Sequence, residues 1–182
     1  MDKAVFGVEA SMTRAVRIPE TFHGAPARLF ALGCLALGVG VLVYLTDRDP
    51  SRAALVPAIA ALSQSHLFGA VGLSLPSFVH PFAFSLFTAA LQPARRAPAY
   101  WACGLWWAIN VAFEIGQAPS VSAVVADLLP RALGPTWLAA ALSDYLLQGT
   151  CTVADLVAVT AGAAAAAAVL RFIHFREARD AH

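Results

Sequence analysis

Four stretches of this chain are apolar for long enough to cross a lipid bilayer, and this limits the fold more than any motif does. A helix needs roughly 17–25 mainly apolar residues to cross a hydrocarbon core of about 30 Å. Leu29 to Leu45, Leu75 to Leu91, Ala99 to Gln117 and Val153 to Leu170 meet that length. In hydrocarbon every backbone N–H and C=O must find its partner within the protein, so such stretches are helices. Composition agrees: 59% of the 182 residues are hydrophobic and 13% are charged, against about 25% charge in soluble domains. The sequence predicts an all-α integral membrane protein, a four-helix transmembrane bundle.

Two other apolar regions do not span. Ala53 to Leu62 is too short and ends at Ser63-Gln64-Ser65-His66. Val121 to Leu147 is interrupted by Asp127, Pro130, Arg131, Gly134, Pro135 and Asp144. Within it, Val121, Val124, Val125, Leu128 and Leu129 form one apolar stripe at helical spacing. After Leu133-Gly134-Pro135, the residues Leu138, Leu142, Tyr145 and Leu146 repeat the pattern. These read as short amphipathic helices in an extracytoplasmic loop, lying in the interface or capping the bundle.

Orientation follows from the cations. With four spans, nine of the twelve Lys and Arg residues fall on the side that holds both termini and the central loop. The positive-inside rule places that side in the cytoplasm. Residues 1–27 then form a cytoplasmic tail, 28–172 the membrane domain and 173–182 a second cytoplasmic tail. Gln92 to Pro98 closes a tight hairpin between the second and third spans. A net charge of +1 argues against a nucleic-acid partner. Cys34, Cys103 and Cys151 show neither disulfide nor zinc spacing. The chain has no Gly-rich phosphate loop, Gly-x-Ser-x-Gly elbow or His-Glu-x-x-His pair. No cofactor is expected.

Ionisable groups inside a span are costly and mark partners, pathways or sites. Within the four stretches the acids are Glu114 and Asp155, and the histidine is His80. Counted from the outer ends, His80 lies about 7–8 Å deep, Glu114 about 5 Å and Asp155 about 3 Å. Asn110, Glu114 and Gln117 form one stripe of the third helix, Ser77 precedes His80 by one turn, and Thr152 precedes Asp155 by one turn. Three helices thus direct polar groups toward one depth. Asp155, near a helix N-terminus, is favoured there by the macrodipole, whereas Glu114 near a C-terminus needs compensation, and His80 is the only other ionisable group at similar depth besides Asp155.

Other residues read as structure. Pro76 suits a first helical turn, and Pro81 loosens the turn beside His80. Gly162 and the alanines to Ala168 let a neighbouring helix approach closely. Tyr100 and Trp101 suit an interfacial belt, while Trp106 and Trp107 are expected to pack against lipid or a partner.

Ser-Phe-Val-His80, Phe-Glu114-Ile-Gly-Gln117 and Thr-Val-Ala-Asp155-Leu ahead of a Gly162-containing helix come in an order that resembles the VanZ-like family of small bacterial membrane proteins. That family's pattern is a His, then Glu-x-x-Gln, then Asp-Leu followed by a Gly-containing helix. The resemblance covers roughly residues 28–172. Thr160 stands where the family often has Asn, the outer segment Ala118 to Gln148 is longer, and an Arg often found near the Asp is missing. The resemblance implies a multi-pass protein of the bacterial cytoplasmic membrane and a role near envelope chemistry. The founding member is associated with low-level glycopeptide resistance, particularly to teicoplanin.

Three functions fit these residues. The favoured one is an outward-facing pocket of His80, Glu114, Gln117, Asp155, Asn110, Ser77 and Thr152. It would bind the polar headgroup of a membrane lipid, a lipid-linked precursor or an amphiphilic antibiotic. The second is a membrane-embedded hydrolase or transferase, with His80 as base and a carboxyl as acid. If such a site held a metal, His80, Glu114 and Asp155 would be its ligands. The third is a structural subunit, and self-association is left open. A transporter fits poorly, because the acids are confined to one leaflet.

Overall fold

The computed structural model describes residues 24–47, 67–92 and 99–180, and all regular structure among them is helical. In chain order the helices are α1 (Ala25–Asp47), α2 (Gly69–Ala90), α3 (Tyr100–Gly116), α4 (Pro119–Leu133), α5 (Trp137–Gln148) and α6 (Val153–Asp180). The short apolar run 53–62, residues 93–98 of the expected hairpin, the N-terminal segment 1–23 and residues 181–182 lie outside the described residues.

By helix length and hydropathy the chain is a multi-pass membrane protein. The helices α1, α2 and α6 are each long and apolar enough to cross, and there are up to four spans if α3 and α4 count as one bent span. α3 has 17 residues, about 25 Å of helix, and α4 leaves it at a bend of 100°. Pro119 at the first turn of α4 fixes that departure, since proline suits an N-terminal helical position and cannot continue the ladder of α3.

Two sequence boundaries move. α2 starts at Gly69, six residues before the expected span, so Pro76 sits inside the helix rather than in its first turn. His80 then lies eleven residues from the start of α2, about 16 Å along it, rather than 7–8 Å. α6 continues through Arg171, Arg176 and Arg179, so the segment expected as a tail from residue 173 is helical as far as Asp180. Hydropathy marks where a chain leaves lipid; the run Arg171-Phe-Ile-His-Phe-Arg-Glu-Ala-Arg179 contains good helix formers and has no reason to unwind there.

α2 packs against α1, α3 and α6, and α3 also packs on α6. Small residues set the spacing. A Cβ at Gly33 would come 2.6 Å from the Phe87 ring, and one at Gly40 would come 3.2 Å from Val79. A Cβ at Gly162 would collide with the backbone carbonyl of Phe78, so α6 touches the α2 backbone as its small-residue run led one to expect. These pairings make α1 antiparallel to α2, while α6 runs in the same direction as α2. The close-packed core lies toward the end where α1 begins and α6 finishes. It is formed by Leu29, Leu86, Cys103, Ala166 and Leu170.

α4 and α5 form the expected pair of short helices, packed on each other. Gly134 turns between them with φ of 71°, a conformation that favours glycine. Pro130 has no N–H for the Ala126 carbonyl one turn back; the Ser143 hydroxyl of α5 donates to that oxygen at 3.2 Å. Thr136 caps α5 by accepting from the Ala139 N–H at 3.2 Å.

Candidate functional site

At the end of the bundle away from the packed core, α1, α2, α3, α5 and α6 enclose an open cavity of about 1390 Å³. Ser77, His80, Asn110, Glu114, Gln117, Thr152 and Asp155, the seven residues singled out by sequence, all line it. They reach it because each set occupies one helical face: Ser77 and His80 on α2, Asn110, Glu114 and Gln117 along α3, and Asp155 at the first turn of α6.

The partners differ from those expected. Glu114 is 9% exposed and sits near the C-terminus of α3, where the dipole disfavours negative charge. The Ser77 hydroxyl donates to its Oε1 at 2.8 Å. His80 makes no ion pair with it among the described residues. Ser77 lies one turn before His80 on the same face of α2 and is the residue that reaches Glu114.

Asp155, also 9% exposed, belongs to the start of α6. The Thr152 hydroxyl donates to its Oδ2 at 2.6 Å and accepts from its backbone N–H at 3.2 Å. The hydroxyl caps the first turn of α6, and the carboxylate is held at the favourable end of the dipole. Asp155 therefore has a folding role of its own while one face of it borders the cavity.

His80 and Gln117 are less committed. The His80 ring lies 6.2 Å from that of Phe84 and accepts or donates no hydrogen bond among the described residues. The Gln117 side chain, 7% exposed, lies against Gly149, where any Cβ would collide with it; its amide likewise makes no hydrogen bond among the described residues. The Asn110 amide donates to the Trp106 carbonyl at 2.7 Å, and the residue lines the cavity. Imidazole, amide and carboxylate thus present both donors and acceptors to whatever enters.

Among the described residues no three His, Cys, Asp or Glu side chains, His80, Glu114 and Asp155 included, are grouped so that they could hold an ion. Glu114 and Asp155 are each turned toward a hydroxyl nearer to them.

Several lining residues were not singled out by sequence. Phe84 and Trp106 stack with ring centroids 4.8 Å apart and form an aromatic floor, and the Trp106 N–H donates to Thr88 at 2.8 Å. Trp107 donates to Thr160 on α6 at 3.2 Å. Neither tryptophan is simply a lipid-facing residue. Their signal was present: Trp106 is one turn before Asn110 and Phe84 one turn after His80, each on the polar stripe already identified. Tyr44 from α1 and Leu142, Tyr145 and Gln148 from α5 also line the cavity, and Tyr145 meets Phe113 edge-on at 6.1 Å. α5 is therefore part of the wall.

The chain matches no known family model, no curated protein and no solved structure.

Proposed function

We propose that this protein binds the polar headgroup of an amphiphile in the cavity between α2, α3, α5 and α6, as a four-span protein of the bacterial cytoplasmic membrane with a VanZ-like role in the envelope. On this reading α3 is the fourth span and the cavity opens on the outer face. Both termini are cytoplasmic, because most cations fall at their end. The headgroup is that of a lipid-linked envelope precursor or of a glycopeptide antibiotic bearing an acyl chain.

One observation carries the reading. Seven polar side chains from three helices line one cavity of about 1390 Å³ whose remaining wall includes Phe84, Trp106, Phe113 and Leu142. Apolar walls with a few convergent polar groups are the usual build of a small-molecule site, and a polar set within a membrane helix bundle is expensive to keep without use. An amphiphile already in the bilayer matches both halves of such a wall.

The test combines Glu114→Gln with His80→Ala. Glu114→Gln keeps an oxygen for Ser77, so the fold is expected to persist. Binding of a fluorescent acylated glycopeptide to the protein in nanodiscs should fall at least tenfold, and any tolerance conferred on cells should vanish with it. Unchanged binding and tolerance in a folded double variant would end this reading.

A further inference from the structure

At the opposite end of the bundle the first turns of α1 and the last turns of α6 border a second cleft, of about 620 Å³, lined by Arg28, Leu32, Val169, Phe172, Arg176 and Glu177 among others. Its charge is unusual for a membrane chain of few charges. Neither guanidinium makes an ion pair among the described residues, although Glu177 borders the same cleft. Arg176 lies over the Phe172 ring with its central carbon 4.8 Å from the centroid, which restrains the direction of its fork.

The depth of these groups matters as much as their sign. Arg28 immediately precedes the apolar stretch of α1, and Arg176 lies six residues beyond Leu170, where the apolar stretch of α6 ends. Both cations therefore stand where spanning helices leave hydrocarbon, at headgroup level. Leu32, Val169 and Ile173 continue the cleft toward the bilayer interior.

We infer that this cleft is a binding site for an anionic phospholipid, with the phosphodiester held by Arg28 and Arg176 and an acyl chain laid along Leu32, Val169 and Ile173. Guanidinium forks match phosphate oxygens two at a time, and basic pockets between transmembrane helices are a recurrent form of headgroup recognition. The count of charges selects the ligand class. Two arginines and Glu177 leave one net positive charge, which a single phosphodiester neutralises and a zwitterionic headgroup does not. This site is separate from the cavity proposed to bind an amphiphile at the other end, and shares no residue with it.

Native mass spectrometry of the full chain released from mixed phosphatidylglycerol and phosphatidylcholine micelles tests it. The wild-type chain should retain one phosphatidylglycerol in preference to phosphatidylcholine by about thirtyfold, the scale that two interfacial arginines provide. Arg28→Gln with Arg176→Gln should erase the preference. Arg171→Gln with Arg179→Gln, which removes the same charge from α6 outside the cleft, should leave it intact. Arg28→Lys with Arg176→Lys keeps the charge without the fork and should retain part of it. The inference is overturned if the wild-type chain shows no preference, a result that needs no variant to fold. It is also overturned if the Arg171 and Arg179 pair matters as much, or if soluble glycerol phosphate displaces the lipid at equal concentration.

Discussion

The bundle's two ends are formed by the same helices, α1, α2, α3 and α6, yet among the described residues one is filled and the other is open. Toward the end where α1 starts, Leu29, Leu86, Cys103, Ala166 and Leu170 close the interior. Toward the end where α6 starts, those helices surround about 1390 Å³ of open space. Helix length does not separate the two; side-chain identity along each helix does. On α6, Gly162, Ala163 and Ala166 are small and face neighbours, so helices meet at the backbone. Two turns earlier, Asp155 needs a polar partner and finds it on its own helix. On α2 the change runs from Leu86 and Ser85 to His80 and Ser77. Without a hydrophobic force between helices in lipid, small residues and packing decide where a bundle closes.

Breaking the closest contact between α2 and α6, where the cavity gives way to packed helices, should cost most. Gly162→Val drives a methyl-bearing Cβ into the Phe78 carbonyl, and backbone cannot move aside as a flexible side chain would. A loss of about 3 kcal/mol is expected, read as a lower thermal midpoint and folded yield in detergent. A variant that melts like the parent would mean that α2 and α6 do not touch there.

Two serines on α2 give the sharper contrast. Ser77→Ala removes the donor to Glu114 and leaves a mostly buried carboxylate without it, at about 1–3 kcal/mol. Ser85, two turns on in the filled half, is fully buried with no hydrogen bond to its hydroxyl, and its polar neighbour is the weakly bonding Cys103 thiol. Ser85→Ala should be neutral or stabilising in the same melt. Equal losses at both positions would erase the distinction between the two halves.

Smaller effects follow at the hollow end's rim. Thr152→Ala removes the cap of α6 and the hydroxyl on Asp155, costing about 1 kcal/mol, and Thr152→Ser should restore most of it. Arg131→Ala breaks an exposed pair with Asp127, 2.7 Å apart on α4, and should change the melt by less than about 0.5 kcal/mol.

How much of this was legible in the sequence depends on the residue. Apolar length marked α1, α2 and α6, and the stripes of α4 and α5 were read at the right places, with Gly134 between them. The start of α2 was not legible, because Gly69, Gly72 and Ser74 dilute the apolar signal and Pro76 looks like a first-turn proline. That error shifted the depth of His80 along its helix. The polar set of the cavity was legible, since one face of a helix is fixed by spacing alone. The contribution of Tyr44 was not, because it depends on how separate elements fold over one another. Trp106 lay on the legible stripe and was set aside for its hydrophobicity.

The central claim is that polar side chains of three helices face one aqueous opening at a single end of the bundle. Accessibility of position 110 tests it most directly. With Cys34, Cys103 and Cys151 replaced by alanine, Asn110→Cys in sealed vesicles should react with a charged, membrane-impermeant thiol reagent. It should do so from the side on which Asp127→Cys of α4 reacts, while Val157→Cys, on an exposed apolar face of α6, stays unmodified. Asn110→Cys as inert as Val157→Cys, or reactive from the side that modifies Arg179→Cys, would contradict the account.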